Sequence, residues 1–166
     1  MSMLGLLIFP AFMAFAAFSD MLTMRISNKI VLGLIISFVI LAMIVGMPLS
    51  LFGVHVGISL LVLIVSFILF SLGWVGGGDA KLAAVTALWF GPSISLTYLI
   101  YGALFGGALT LIFLGVRMIP IPAQLKDVVW INRLHSSVSG IPYGIALAAA
   151  GLLVYPQSVI FIGLFG

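Results

Sequence analysis

No cysteine occurs anywhere in the 166 residues, so disulfides, thiolate metal sites and cysteine nucleophiles are all excluded. Charge is nearly as scarce. Six basic and three acidic side chains amount to 5% of the chain, against 64% hydrophobic residues and a mean hydropathy of +1.46. A soluble domain of this length must cover itself with polar groups, and so few charges cannot do that. The solvent for this chain is therefore a lipid bilayer. Long apolar runs also exclude a membrane β-barrel, whose strands alternate faces and give far weaker hydropathy signals. A net charge of +3, thinly spread, gives no reason to expect nucleic acid as a partner; the placement of the charges carries topology instead. The N-terminal run MSMLGLLIFPAFMAFAAFSD lacks the positive segment of a cleaved signal and leads straight into a charged turn. It reads as a first spanning helix, with a cleaved signal as the lesser alternative.

What is present is hydrophobic length. Six apolar segments can be marked, at about 3–20, 30–46, 52–74, 80–90, 94–116 and 141–161. They predict an all-α, polytopic membrane protein: one domain over 1–166, a bundle of about six transmembrane helices. The fourth segment, cut off by Gly91-Pro92, is too short to cross a ~30 Å hydrocarbon core unaided. Arg25 and Lys29, then Lys81, then Arg117, Lys126 and Arg133 all fall in alternate loops, while the loops at Pro48 and Pro92 carry no charge. The positive-inside rule puts the basic loops in the cytoplasm and both termini outside. Gly53/Gly57 and Gly102/Gly106 suit close helix contacts, and Trp74, Trp89 and Trp130 suit interfacial anchoring. Across the polar stretch 117–140 the apolar positions do not fall on one helical face.

Only three carboxylates exist, Asp20, Asp79 and Asp127. Asp20 ends an apolar segment and Asp79 opens one, on the same predicted side. An acid inside a spanning helix costs about 2.5–3.5 kcal/mol on insertion scales, less near the interface, and is usually there for function. Two carboxylates brought together in a low dielectric cannot both ionise, so they share a proton. The ionised one can take a proton from water as it attacks an amide, and the protonated one can donate to the carbonyl oxygen. Such chemistry needs no metal and no cofactor. Gly76, Gly77 and Gly78 directly precede Asp79, which permits a turn and a close approach of substrate backbone. A phosphate-binding loop does not fit, because the order of Lys and Ser/Thr is wrong. Taken alone, Asp20 also reads as a headgroup-level acid beside Arg25 or Lys29, and Asp79 as a helix N-cap. Asp127 reads as a solvated loop charge beside Lys126. His55 reads as a packed, hydrogen-bonded side chain, and two distant histidines make no metal site.

The stretch GGGDAKL, residues 76–82, resembles the Gly-x-Gly-Asp-x-Lys signature of type IV prepilin peptidases. Asp20 followed by Arg25-Ile26-Ser27-Asn28 resembles that family's first catalytic Asp ahead of an Arg-Ile-Pro-Asn turn, and Pro142-Tyr143-Gly144 resembles its Pro-Tyr-Gly segment opening the last helix. The resemblance implies an aspartic endopeptidase of the bacterial inner membrane with Asp20 and Asp79 as the catalytic pair, facing the cytoplasm. Its substrate and partner would be a pilin precursor, a short basic leader before a long apolar helix. Asn28, Gly76, Gly77, Gly78, Lys81, Pro142, Tyr143 and Gly144 would shape the site or hold substrate. Lys81 serves equally well as a side chain snorkelling to the interface. Ser27 departs from the family's proline. The zinc-binding, cysteine-bearing insertion of larger members is absent, so the chain is similar to the small peptidase-only forms of tight-adherence (Flp-type) pili, and methylation of the product is not expected. The alternative is a small proton-coupled transporter or channel using the same acids as a relay. Transport sites usually lie at the midplane between repeated halves, whereas these acids lie at segment ends and no repeat is evident.

Overall fold

The computed structural model describes residues 3–120, 128–136 and 140–165. Its helices are α1 (Met3–Thr23), α2 (Asn28–Ile44), α3 (Leu49–Ser71), α4 (Gly77–Arg117), α5 (Val129–His135), α6 (Tyr143–Val154) and α7 (Val159–Phe165), with a 3-10 turn, Tyr155–Gln157, joining the last two. There is no strand among the described residues. In lipid every backbone polar group must be satisfied within its own segment, and long apolar runs meet that demand as helices. α1, α3 and α4 each contain a stretch long and apolar enough to cross a bilayer. A fourth crossing follows if the pair 143–157 and 159–165, bent by 49°, counts as one span; α2, with 17 residues, is a shorter apolar helix. The chain is an all-α membrane bundle.

α4 is not one rod. Gly91 sits at φ 60°, ψ −164° in its middle, a conformation that costs a residue with a Cβ but not glycine. Pro92 follows, and it has no N–H to give the carbonyl of Leu88 one turn back. That orphaned oxygen is paired instead with Nδ1 of His55, at 2.8 Å, so the imidazole is the hydrogen-bonded core side chain expected from sequence. The chain folds back at this point. The rings of Phe90 and Tyr98 lie 5.3 Å apart, and Ser95 Oγ, which donates to Gly91 O at 2.6 Å, lies only 3.3 Å from Ala87 O. Residues eight apart on an unbroken helix would be separated by about 12 Å along the axis. α4 is therefore two arms, 77–90 and 92–117, and with α1, α2, α3 and the α6–α7 pair it makes six apolar arms. The first arm of α4 rises only roughly 21 Å.

A side chain at position 91 has no room. A Cβ there would lie 2.4 Å from Nε2 of His55, on a backbone with positive φ. Gly91→Ala is expected to destabilise the protein by about 2 kcal/mol or more, read as a fall in the thermal midpoint of the purified protein. Gly107→Ala, where a Cβ meets nothing within 4 Å, is the control.

The arms pack through α1 on α2, α3 and α6 on α4, and α6 on α1. Phe12 of α1 lies over Gly33 of α2. Ser59 Oγ of α3 donates to Ala84 O of the first α4 arm at 2.8 Å. On the second arm, Gly102 and Gly106 lie against Leu147 and Tyr143, so this glycine pair does serve close helix contact, whereas Gly53 and Gly57 face open space and do not. Phe9 of α1 stacks on Tyr155, with ring centroids 4.6 Å apart. Phe9, Phe38, Trp89, Phe90, Tyr98 and Tyr155 form the aromatic centre of the bundle.

Trp89 corrects its sequence reading. It is fully buried, donates from Nε1 to Leu34 O at 3.2 Å, and has its ring 5.0 Å from that of Phe9. It stands beside the break at Gly91, which looks like a membrane edge in sequence, but the fold-back there is packed against α2 and His55. Trp74 is 75% exposed and Trp130 37%. Between 117 and 140 the described helix is α5, only seven residues long; Lys126 and Asp127 lie outside the described residues.

Candidate active site

Asp20 lies in the last turn of α1 and Asp79 in the first turn of α4. Both line one cavity of about 530 Å³, together with Arg25, Ile26, Asn28, Gly76, Gly77, Gly78 and Lys81. Asp20 is buried, at 5% exposure, and Asp79 is half-buried. Acids far apart in sequence thus meet at one hollow at one end of the bundle.

Each acid is held by backbone that lacks side chains. α6 begins at Tyr143 with Pro142 as its N-cap, so the first amides of the helix have no partner within it. One of these, the N–H of Gly144, donates to Oδ2 of Asp20 at 2.8 Å. A Cβ at Gly144 would lie 2.8 Å from that same oxygen and 2.9 Å from Cδ1 of Ile26. At the second acid, Gly76 is the N-cap and gives no side-chain cap to the helix. The Asp79 carboxylate reaches back over it, so that a Cβ at Gly76 would lie 2.7 Å from Oδ2. Asp79 is therefore not the N-cap that one reading of the sequence allows. Nor do all the glycines form a loop before the helix, since Gly77 and Gly78 belong to its first turn.

Ile26 joins the two halves. It is buried, and a Cβ at Gly78 would lie 3.2 Å from its Cβ and 3.3 Å from its backbone nitrogen. One side chain thus touches both the Gly78 turn and the start of α6 beside Asp20. The turn carrying Ile26 is fastened from several sides. Met24 takes φ 55° and its N–H donates to Asp20 O at 2.8 Å. The Ser19 hydroxyl donates to Arg25 O at 2.8 Å, and the Thr23 hydroxyl donates to Ser19 O at 2.7 Å with Arg25 O 3.2 Å away. Ser27 Oγ accepts from Lys29 N at 3.2 Å and caps α2. Across the cavity mouth, Lys81 Nζ donates to Asn28 Oδ1 at 3.0 Å. Arg133 Nη1 donates to Leu22 O at 3.0 Å, closing the end of α1.

The structure brings Asp20, Asp79, Asn28, Lys81 and the three glycines to one cavity, and sets Gly144 directly on Asp20. Tyr143 sits a step away, its hydroxyl 2.9 Å from that of Thr110 and its ring over Gly106. Sequence reasoning passed over Ile26 and Arg133. Ile26 stands inside the Arg-Ile-Ser-Asn run, but nothing marks one isoleucine among many as a wedge. Among the described residues no three histidine or acidic side chains gather into a group that could hold a metal ion.

Fold and site together define a polytopic α-helical membrane protein with two acids, from separate helices, sharing a cavity. The sequence model of the type IV leader peptidase family matches residues 7–111, a span that includes both acids and their surrounding motifs. The chain belongs to this family, and it is a peptidase of the leader-processing kind. The Pro142-Tyr143-Gly144 segment lies beyond the matched residues. No curated protein and no solved structure matches the chain.

Proposed function

We propose that the protein is an aspartic endopeptidase that removes the leader of pilin precursors at the cytoplasmic face of the bacterial inner membrane. The observation that carries this reading is the shared cavity of Asp20 and Asp79. The pair holds one proton between its two carboxyl groups. A water molecule in the cavity attacks the scissile carbonyl carbon and passes a proton to the ionised carboxylate. The protonated carboxyl gives its proton to the carbonyl oxygen. The tetrahedral adduct then collapses: one hydroxyl returns its proton to the carboxylate that had donated, the carbonyl re-forms, the C–N bond breaks, and the departing amine takes up the proton abstracted from water. The Gly144 N–H keeps Asp20 in one orientation throughout, so little reorganisation is needed as charge moves.

Sidedness follows from charge. Arg25, Lys29 and Lys81 stand near the acids in sequence, and Arg117 and Arg133 are drawn to the same end of the bundle. Arg133 caps α1, and Arg117 donates to Leu134 O and Gly140 O, both at 2.9 Å. By the positive-inside rule that end is cytoplasmic. Both chain termini would then lie outside.

The direct test is co-expression with a candidate pilin precursor, with the membrane fraction read by mass spectrometry. Loss of the leader mass from the precursor is expected only when the peptidase is present; an unshortened precursor overturns the reading. Lys81→Met removes one exposed hydrogen bond to Asn28, so its expected effect is a loss of several-fold in initial processing rate, measured under the same conditions.

A further inference from the structure

Resting on that reading, we propose that the furrow between α2, α3 and the first arm of α4 receives the apolar helix that follows the cleaved bond of the precursor. Three hollows lie end to end. The acid cavity and a second hollow of about 340 Å³ share Lys81. The second shares Val39 and Phe52 with a third, of about 230 Å³, that ends at Met47 and Leu49. The track therefore runs the length of α2, roughly 25 Å for its 17 residues. That is most of the thickness of a bilayer core, and matches an occupant of membrane-spanning length.

The chemistry of the walls fits the same occupant. Among the residues lining the second hollow only Ser59 and Lys81 are polar. The Ser59 hydroxyl is taken by Ala84 O and one N–H of the Lys81 ammonium by Asn28, so the furrow presents mainly hydrocarbon, including the Lys81 stem. Ile26 packs onto Gly78 and Gly144 and fills the space between α4 and the start of α6. A chain whose amide lies at the two acids, and whose next residues are an apolar helix, leaves past Lys81. It then stays in contact with the enzyme along α2. The furrow would select for a long apolar segment, while the acids cut whatever bond is presented.

The test uses purified full-length enzyme and two synthetic substrates. One is the complete precursor segment, with leader and apolar helix. The other is truncated a few residues past the cleaved bond. Ile35→Trp and Leu60→Trp fill the furrow from α2 and α3 respectively. Each is expected to raise KM for the complete substrate by about tenfold or more, while kcat/KM for the truncated substrate stays within about twofold and shows that the fold and acids are intact. An unchanged KM for the complete substrate in both variants overturns the proposal. Failure of the wild type to cut either substrate overturns the peptidase reading itself, and the furrow with it. Independently, a photoreactive residue at position 35 is expected to crosslink the precursor. The same residue at position 104, exposed on the second arm of α4, is expected not to. Adducts at position 35 with lipid alone, or with a second copy of the enzyme, overturn it.

Discussion

Asp20→Asn and Asp79→Asn should each lower leader processing by about a thousandfold while leaving the protein folded. An amide is nearly isosteric with a carboxyl group but can neither take the proton from water nor pass one to the substrate. Acid–base catalysis by a positioned side chain contributes roughly a hundred- to ten-thousandfold, and the pair acts as a unit, so losing either member removes both functions. The measurement is the ratio of precursor to product in membranes, with the thermal midpoint of each variant as a check on folding. Wild-type kcat/KM is expected to follow a bell-shaped pH profile whose two limbs belong to the pair rather than to one residue. Normal processing by either single variant would remove the acids from the chemistry, leaving the peptidase family membership in place and the catalytic groups elsewhere.

The second large effect is expected from a single methyl group. Gly144→Ala puts a Cβ 2.8 Å from Oδ2 of Asp20, 2.9 Å from Cδ1 of Ile26 and 3.0 Å from the Asp20 Cβ. The backbone of the α6 start cannot yield freely, because the helix behind it is buried at Ala146, Ala148 and Ala150. The acid must therefore move, and with it the hydrogen bond that orients it. A displacement of about 1 Å in a catalytic group can cost on the order of a hundredfold. The fall should appear in kcat with KM nearly unchanged, since no residue of α6 lines the furrow proposed to hold substrate. Gly107→Ala, with open space at its Cβ, should behave as wild type. Equal losses in kcat and in thermal stability for Gly144→Ala would mean that position 144 serves packing alone.

Much of this was legible from residues alone, and for identifiable reasons. Apolar runs long enough to cross a membrane leave little choice of secondary structure, and so the first five helical arms fell close to the segments marked by hydropathy, while the sixth, 141–161, is broken at Tyr155–Gln157. The break at Gly91-Pro92 was readable because proline cannot continue the ladder. Its companion was not: His55 supplies a donor for the Leu88 carbonyl from another helix, and no local pattern announces a tertiary partner. Trp89 failed for a related reason, since a tryptophan beside a turn looks alike at a membrane edge and in a packed corner. The acids were visible because they are so few in so apolar a chain. Their meeting at one cavity is a matter of helix packing, and depends on Ile26, Gly78 and Gly144, whose close contacts only the folded chain displays.

The Asp20–Gly144 hydrogen bond spans 124 positions of sequence, and this has a bearing on biosynthesis. A nascent chain inserted only as far as α4 already carries both acids, yet lacks the amide that steadies one of them. Catalytic competence would then arrive with α6, the helix whose first turn supplies that amide. Half-made copies would be kept from cutting their neighbours by the order in which the ribosome delivers the parts.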